Sequence, residues 1–309
     1  MPKLMRKQIL LAKIETVSGT DPTPTGAANA ILVRSTTPQP LVVDNVPRNL
    51  IRAYFGNSES IPVGEHSEMD VEVELAGSGA AGTAPAYGPL LRACALSETV
   101  TAATDVKYAP ITGANETVTL YFHLDGLLHK MIGCVGSVAF DITAKQVPVM
   151  RFKFLGAFSA VTDTVNPVAD YSKFIAPRIA NKTNTAAWSL HGYTGSLSAL
   201  QLDLANDIAW RALIGAESSV LTDRKPAGSV TLDLDTVAAS DWWTKVRGAV
   251  LGALSITHGT TAGNIIKIDA PKVQLSNLQY SDDSGVAQVS ANLILVPNAG
   301  NDEFLLTVK

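Results

Sequence analysis

The sequence predicts a mainly β protein built from two tandem antiparallel β-sandwich or barrel domains, each with one flanking α-helix. Three observations predict this class. The 309 residues are 46% apolar but only 17% charged, which favours strands over charged helical surfaces. Several segments alternate apolar and polar side chains, the period of a half-buried strand. The third observation is an internal repeat that relates the two halves of the chain.

The repeat aligns residues 41–75 with residues 200–234 without a gap, and eight of the aligned pairs are identical. Average composition gives about two by chance. A later alignment pairs His123 with His258, Val138 with Val273 and Phe140 with Leu275, which gives the first copy about 24 additional residues. We expect domain copies at residues 40–158 and 196–309, an N-terminal arm at residues 1–39 and a linker at residues 159–195.

Each copy opens with an alternating strand, at residues 41–46 and 197–204. The clearest strand follows, where acidic residues alternate with Met69, Val71, Val73 and Leu75. A helix is then predicted over residues 87–96 and 238–250, the second capped by Thr236 or Ser240. Three more strands are predicted over residues 116–124, 127–143 (broken at 133–136) and 147–154, and Asp125-Gly126 is a strong hairpin signal. Mostly antiparallel strands with one outer helix indicate a sandwich or partly closed barrel.

Residues 1–39 stand outside the repeat. A short apolar start is followed by a Pro- and Thr-rich stretch at residues 21–26, which is typical of an extended arm. We expect the arm to order against another subunit or ring, with Ile9, Leu10 and Leu11 as its anchors.

The glycines at residues 77–82 form a literal GxGxxG. A dinucleotide fold requires a continuous apolar parallel strand before this motif, whereas one face of the preceding strand is acidic. The second copy also lacks these glycines. We therefore interpret the segment as a flexible loop, one of those that lengthen the first copy.

No catalytic, metal or cofactor motif emerges. Cys94 and Cys134 have no CxxC spacing and are expected to be buried thiols. The five histidines show no metal-ligand spacing, and no nucleophile elbow is present. Trp242-Trp243 opens the second predicted helix and is interpreted as core or subunit contact. The sequence thus predicts no enzyme and no cofactor.

An acidic stripe lies on one face of the clearest strand. Its members are Glu68, Asp70, Glu72 and Glu74, and the second copy has Asp233 and Asp235 at or next to matched positions. The stripe is open to three readings: a calcium cluster, a solvated face or a functional negative surface. Repeated around a ring, it would repel DNA phosphates.

Charge and hydropathy exclude other classes. A net charge of -4 and a pI near 5.7 lack the basic footprint of a DNA-gripping domain. The apolar run near the start is too short for a signal-peptide core. The longest weakly polar stretch, residues 249–256, falls far short of the roughly 20 residues of a membrane span.

Five segments resemble the major tail tube proteins of long, flexible-tailed double-stranded DNA phages and related prophages. They are residues 10–33, 56–95, 124–156, 223–233 and 299–309. The resemblance implies a β-sandwich with a flanking helix, assembled into stacked rings around a channel for the genome. It places the chain in the virion tail, assembled in the host cytoplasm beside other tail proteins, and carries no catalytic residues.

The internal repeat bears on the number of subunits in a ring. Tubes of this type commonly have sixfold inner symmetry, which three two-domain subunits satisfy as a pseudo-hexameric trimer; six chains would give a twelve-domain ring. We expect the acidic stripe to line the lumen, so that double-stranded DNA passes without specific binding, and we expect no membrane contact. The alternatives are a secreted or surface β-sandwich binding module, which the missing signal peptide disfavours, and a hydrolase, which lacks any triad.

Overall fold

The computed structural model describes residues 2–185 and 187–309 as antiparallel β layers with three short helices. The predicted mainly β class is confirmed. The helices are α1 (Gly26–Asn29), α2 (Gly88–Arg92) and α3 (Trp242–Arg247). The strands are β1 (Gln8–Ile14), β2 (Ala30–Ile31), β3 (Ser35–Pro47), β4 (Ser60–Glu74), β5 (Leu96–Thr101), β6 (Asp105–Pro110), β7 (Val118–Leu124), β8 (Leu127–Thr143), β9 (Val149–Phe158), β10 (Thr162–Asp163), β11 (Ala187–Leu190), β12 (Leu197–Asp203), β13 (Asn206–Leu213), β14 (Ala216–Arg224), β15 (Ala227–Asp233), β16 (Leu251–His258), β17 (Ile266–Asp283), β18 (Val286–Leu295) and β19 (Leu305–Val308).

One layer of eight strands runs through both halves of the chain in the order β3-β4-β9-β8-β12-β15-β18-β17. We call it the long layer. Its central pairing joins β8 of the first half to β12 of the second, from Ala139 opposite Asp203 to Thr143 opposite Ala199. We call this pairing the internal seam. Because it is a continuous backbone ladder, the two halves share one sheet.

The second layer is made of shorter strands. In the first half, β2, β1 and β7 pair in that order with the beginning of β8. In the second half, β11 and β16 pair with the beginning of β17, which continues into β19, β6 and β5. The long strands β8 and β17 therefore belong to both layers. One apolar core fills the space between the two layers. Strands β5 and β6 were not predicted, and they account for part of the additional length of the first half.

Strands pair in the same order in both halves, but the register differs from the predicted one. A bulge of the same kind lies between Val118 and Leu120 in β7 and between Gly252 and Leu254 in β16, and it places Leu120 opposite Met131 and Leu254 opposite Ala270. His258 consequently takes the place of Leu124, not of His123, so the predicted equivalence of the two histidines is wrong. This one-residue difference is already present before the turn. Two residues, Asp125 and Gly126, link β7 to β8, whereas residues 259–265 link β16 to β17, so the offset between the halves grows by five residues only after it. A shift of one residue moves a side chain to the other face of its strand.

The N-terminal segment differs from the predicted arm. Strand β1 pairs along its whole length with β7 and also with β2. Leu10 is 0% exposed in the main core, whereas Leu11 is 1% exposed in a smaller cluster with Tyr121 and Leu128, against which half-buried Ile9 packs. The expectation that these residues anchor to another subunit is therefore corrected. Apolar side chains already removed from water gain little from a second partner.

Both predicted helices are shorter than expected. The cap of α3 is Asp241, whose Oδ1 accepts a hydrogen bond from the Thr244 backbone N–H at 2.9 Å. Thr236 caps only the preceding turn, where its hydroxyl accepts from the Ala239 backbone N–H. Within the described residues, no helix has the length and apolar character needed to cross a membrane.

Candidate channel wall and assembly surfaces

Strand β4 places its apolar and acidic side chains on opposite faces, as its alternation predicts. Met69, Val71 and Val73 are at most 2% exposed and face the core. Glu68, Asp70, Glu72 and Glu74 lie on the outer face of the long layer, half-buried or exposed. This outer face is the candidate channel wall.

Basic residues of β9 lie directly beside this stripe. Arg151 is opposite Glu72, and Lys153 is opposite Asp70. The Arg151 guanidinium contacts Glu72 at 3.1 Å and Asp141 of β8 at 2.9 Å, and its hydrogen bond to Asp141 raises its pKa further. The Lys153 ammonium lies 3.7 Å from Glu68. The stripe is thus one part of a mixed-charge ladder, a feature that the β4 pattern alone could not reveal.

Two carboxylates of the stripe are left without such a partner. Within the described residues, Asp70 and Glu74 form no ion pair, whereas Glu72 also meets Arg34 at 3.5 Å. Exposed ion pairs contribute only about 0–1 kcal/mol each. Charge on this face therefore contributes little to the free energy of folding.

The second half does not repeat the acidic stripe. Asp233 ends β15 and accepts a hydrogen bond from Gln288 at 3.0 Å. Asp235 lies beyond the strand and is exposed. The rest of this face carries neutral polar side chains, among them Ser229, Thr231, Ser290 and Asn292. The expected repetition of negative charge is corrected to a charged first half beside a largely neutral second half.

Within the described residues, His, Cys, Asp and Glu side chains form no group of three placed to hold a metal ion. Cys94 and Cys134 are fully buried, which raises the pKa of both thiols well above its usual value. Burial lowers the pKa of His258, whose ring nitrogens lie 2.7 Å from the Thr185 hydroxyl and 3.0 Å from the Arg178 carbonyl oxygen. Trp242 is core, 2% exposed.

The glycine-rich segment packs tightly, so its interpretation as a flexible loop is wrong. The Gly79 backbone N–H donates to the Gly263 carbonyl at 2.9 Å, and the Gly77 N–H donates to Asn264 Oδ1 at 3.0 Å. A Cβ on Gly77 would lie 2.1 Å from the Gly263 oxygen. These glycines let two backbones from different halves of the chain touch.

Two hairpin tips expose apolar side chains. In the first half, Ile51 and Phe55 are 102% and 107% exposed between β3 and β4. In the second half, Ile214 is 109% exposed at the turn between β13 and β14. The sequence repeat aligns Phe55 with Ile214. Soluble chains rarely expose such clusters unless another molecule covers them.

A family model described as phage tail tube protein matches residues 5–293. The chain belongs to this family of phage tail tube proteins. No curated protein sequence matches it. As a member of this family, the chain is a structural component of a phage tail that self-assembles and meets other tail proteins; it is not an enzyme.

Proposed function

We propose that the chain forms rings that stack into the tail tube, and that DNA passes through their channel when it is ejected into the host. The observation that carries this proposal is the long layer: a continuous sheet with one face in the core and a polar face open to solvent. Three two-copy chains would close a pseudo-hexameric ring. Assembly in the host cytoplasm belongs to the same proposal.

The polar face of the long layer is proposed as the channel wall. Carboxylates on this face outnumber basic groups. The carboxylates are Glu68, Asp70, Glu72, Glu74, Asp141, Asp203 and Asp233, and the basic groups are Arg151, Lys153 and Arg34, which contacts Glu72. A wall that bound phosphates strongly would retain DNA at every ring, because each neutralised phosphate adds affinity. A mixed wall of net negative charge leaves the DNA free to slide.

Charge reversal at the two carboxylates without ion pairs tests this wall. Asp70→Lys with Glu74→Lys should leave tube length unchanged and slow DNA ejection, most strongly at low salt, where screening is weakest. Asp163→Lys, on the exposed strand β10, is the control and should leave the ejection rate unchanged. Equal ejection rates for both variants at low salt would place these carboxylates away from the DNA.

The hairpin tips are proposed as contacts between stacked rings, in place of residues 9–11. Phe55→Ser with Ile214→Ser should leave the fold intact, since both side chains are fully exposed, and should shorten or abolish tubes. Val165→Ser, at an 89% exposed position, is the matched control. Electron microscopy of both preparations reads the result, and normal tubes from the double variant would contradict the stacking role.

A binding module is the alternative function. Ordered tubes formed by the purified chain support the proposal, and dispersed monomers under all assembly conditions would support the module.

A further inference from the structure

Among residues 2–185 and 187–309, the long layer ends at two uncovered strand edges. At one end, residues 35–39 of β3 pair with β4 on one side only. At the other end, residues 279–283 of β17 pair with β18 only, because β16 and β19 contact the earlier part of that strand. Uncovered edges present backbone groups that another strand can pair with.

The edge of β17 corresponds to the part of β8 that forms the internal seam. In the first half, Val73 pairs with Met150, which pairs with Phe140. In the second half, Leu232 takes the place of Val73; it pairs with Val289, which pairs with Tyr280. Tyr280 therefore occupies the place of Phe140, a correction to the sequence alignment with Leu275.

These two aromatic residues differ in exposure. Phe140 is 1% exposed: Leu202 of β12 lies opposite it across the internal seam, and the Phe304 ring stacks on it at 5.2 Å. Tyr280 is 65% exposed and meets one aromatic ring, Trp243, at 6.5 Å. The second half thus lacks the strand that covers this position in the first.

The edge of β3 corresponds to β12, the strand that covers Phe140 at the internal seam. At the internal seam, Leu202 pairs with Gly228 of β15. Met69 takes the place of Gly228 in the first half, and it pairs with Pro38 of β3. Pro38 therefore occupies the place of Leu202. The two uncovered edges are the two sides of the same seam, separated onto opposite ends of one chain.

We propose that the β3 edge of one chain pairs antiparallel with the β17 edge of a second copy, in the register of the internal seam. Pro38 then lies opposite Tyr280, and Thr37 lies opposite Ser281 as Gln201 lies opposite Asp141. This inference rests on the proposed function, because repetition of the contact extends the long layer from subunit to subunit. It names the strands and the register of that contact.

The residues at this contact fit one another. Thr37, Gln39, Gln279 and Ser281 are uncharged, so no like charges face each other on the channel side. Pro38 and Pro40 lack backbone N–H donors, so a ladder on this edge has fewer hydrogen bonds than the internal seam. The contact therefore depends on packing between Tyr280 and Pro38 as well as on the ladder.

Cysteine cross-linking tests the register. Thr37→Cys with Ser281→Cys places the two thiols on one face and directly opposite each other between copies, within disulfide reach. Mild oxidation of assembled tubes should give ladders of covalently linked chains on a non-reducing denaturing gel. The control, Thr37→Cys with Asp282→Cys, puts the thiols on opposite faces and should give none. Cys94 and Cys134 stay in place because they are fully buried.

The outcomes separate the two proposals. If the unmodified chain forms no tubes, the proposed function fails. If tubes form but Thr37→Cys with Ser281→Cys yields no ladder, or the control yields an equal one, the register is overturned. As a second measurement, Tyr280→Ser should leave a folded chain that forms no rings, whereas Val286→Ser, at a 53% exposed position on the neighbouring strand, should assemble normally. Normal rings from Tyr280→Ser would contradict the proposed packing.

Discussion

Two segments with matching sequences adopt different structures in the two halves of the chain. The segment WRALIGAESS, residues 210–219, forms most of the regular hairpin β13–β14, paired from Asn206 and Arg224 to its turn. The segment IRAYFGNSES, residues 51–60, aligns with it position by position. There β3 ends at Pro47 and β4 begins at Ser60, and residues 48–59 form no strand.

The difference lies in the surface beneath each segment. The β13–β14 hairpin rests on the first half of the chain, where Trp210 stacks on His66 with 5.7 Å between ring centroids. Asn206 and Ser219 add hydrogen bonds to first-half carbonyls. In the part of the chain that the structure describes, no such surface supports residues 48–59. A two-stranded hairpin alone is marginal in water, so the supporting surface helps to decide which of two related sequences forms a hairpin.

The largest effect on this comparison is expected from Asn206→Ala. The buried Asn206 amide donates to the carbonyl oxygens of Cys94 and Gly136 at 2.8 and 2.9 Å. Both oxygens would lose their donor, so the free energy of unfolding should fall by about 2–3 kcal/mol. Urea unfolding measures it. The control is Asn57→Ala, at an exposed position in the first-half segment, which should change the free energy of unfolding by less than about 0.5 kcal/mol. Equal decreases in both variants would contradict the expected difference between the two segments.

Trp210→Ala should lower the free energy of unfolding by less, about 1–2 kcal/mol. The ring is only half-buried, but its removal leaves a gap where it packs on the first half. Amide hydrogen exchange should become faster throughout β13 and β14. The aligned Ile51→Ala removes a fully exposed side chain and should be neutral in the dispersed chain. Unchanged amide exchange in β13 and β14 of the Trp210 variant would mean that the hairpin forms without the supporting surface.

Ser219→Ala should give a smaller loss, about 0.5–1.5 kcal/mol, since it removes one hydrogen bond to the Gly133 carbonyl. Its aligned residue, Ser60, only meets Asn45 at 3.4 Å on an exposed surface. Ser60→Ala should therefore leave the unfolding midpoint in urea where it is. A comparison of the two unfolding midpoints measures what the supporting surface contributes to stability.

The smallest effect is expected from a transplant. Replacing residues 51–60 by WRALIGAESS should leave residues 48–59 of the dispersed chain without strand pairing, because the sequence changes and the surface does not. Cross-strand NMR contacts between residues 48–59 would contradict this and show that local sequence suffices.

The sequence by itself determined the strand periodicity and its consequences. The alternation in β4 fixed which side chains enter the core, because successive residues of a strand face opposite sides. The scarcity of charge and the turn signal at Asp125-Gly126 indicated antiparallel strands. The repeat at residues 41–75 and 200–234 is also readable directly, since aligned residues need no contacts to be compared.

Tertiary structure decided what depends on neighbours distant in the chain. Arg151 neutralises part of the acidic stripe only because β9 pairs with β4, and the stripe alone gives no sign of it. Strand β1 lies within the fold and not in an extended arm, because it pairs with β7 along its whole length. The pairing of β16 with β17 places His258 at the position of Leu124, out of register with His123. Each of these outcomes depends on pairing partners that local patterns do not specify, which is why Tyr280 is exposed where Phe140 is buried.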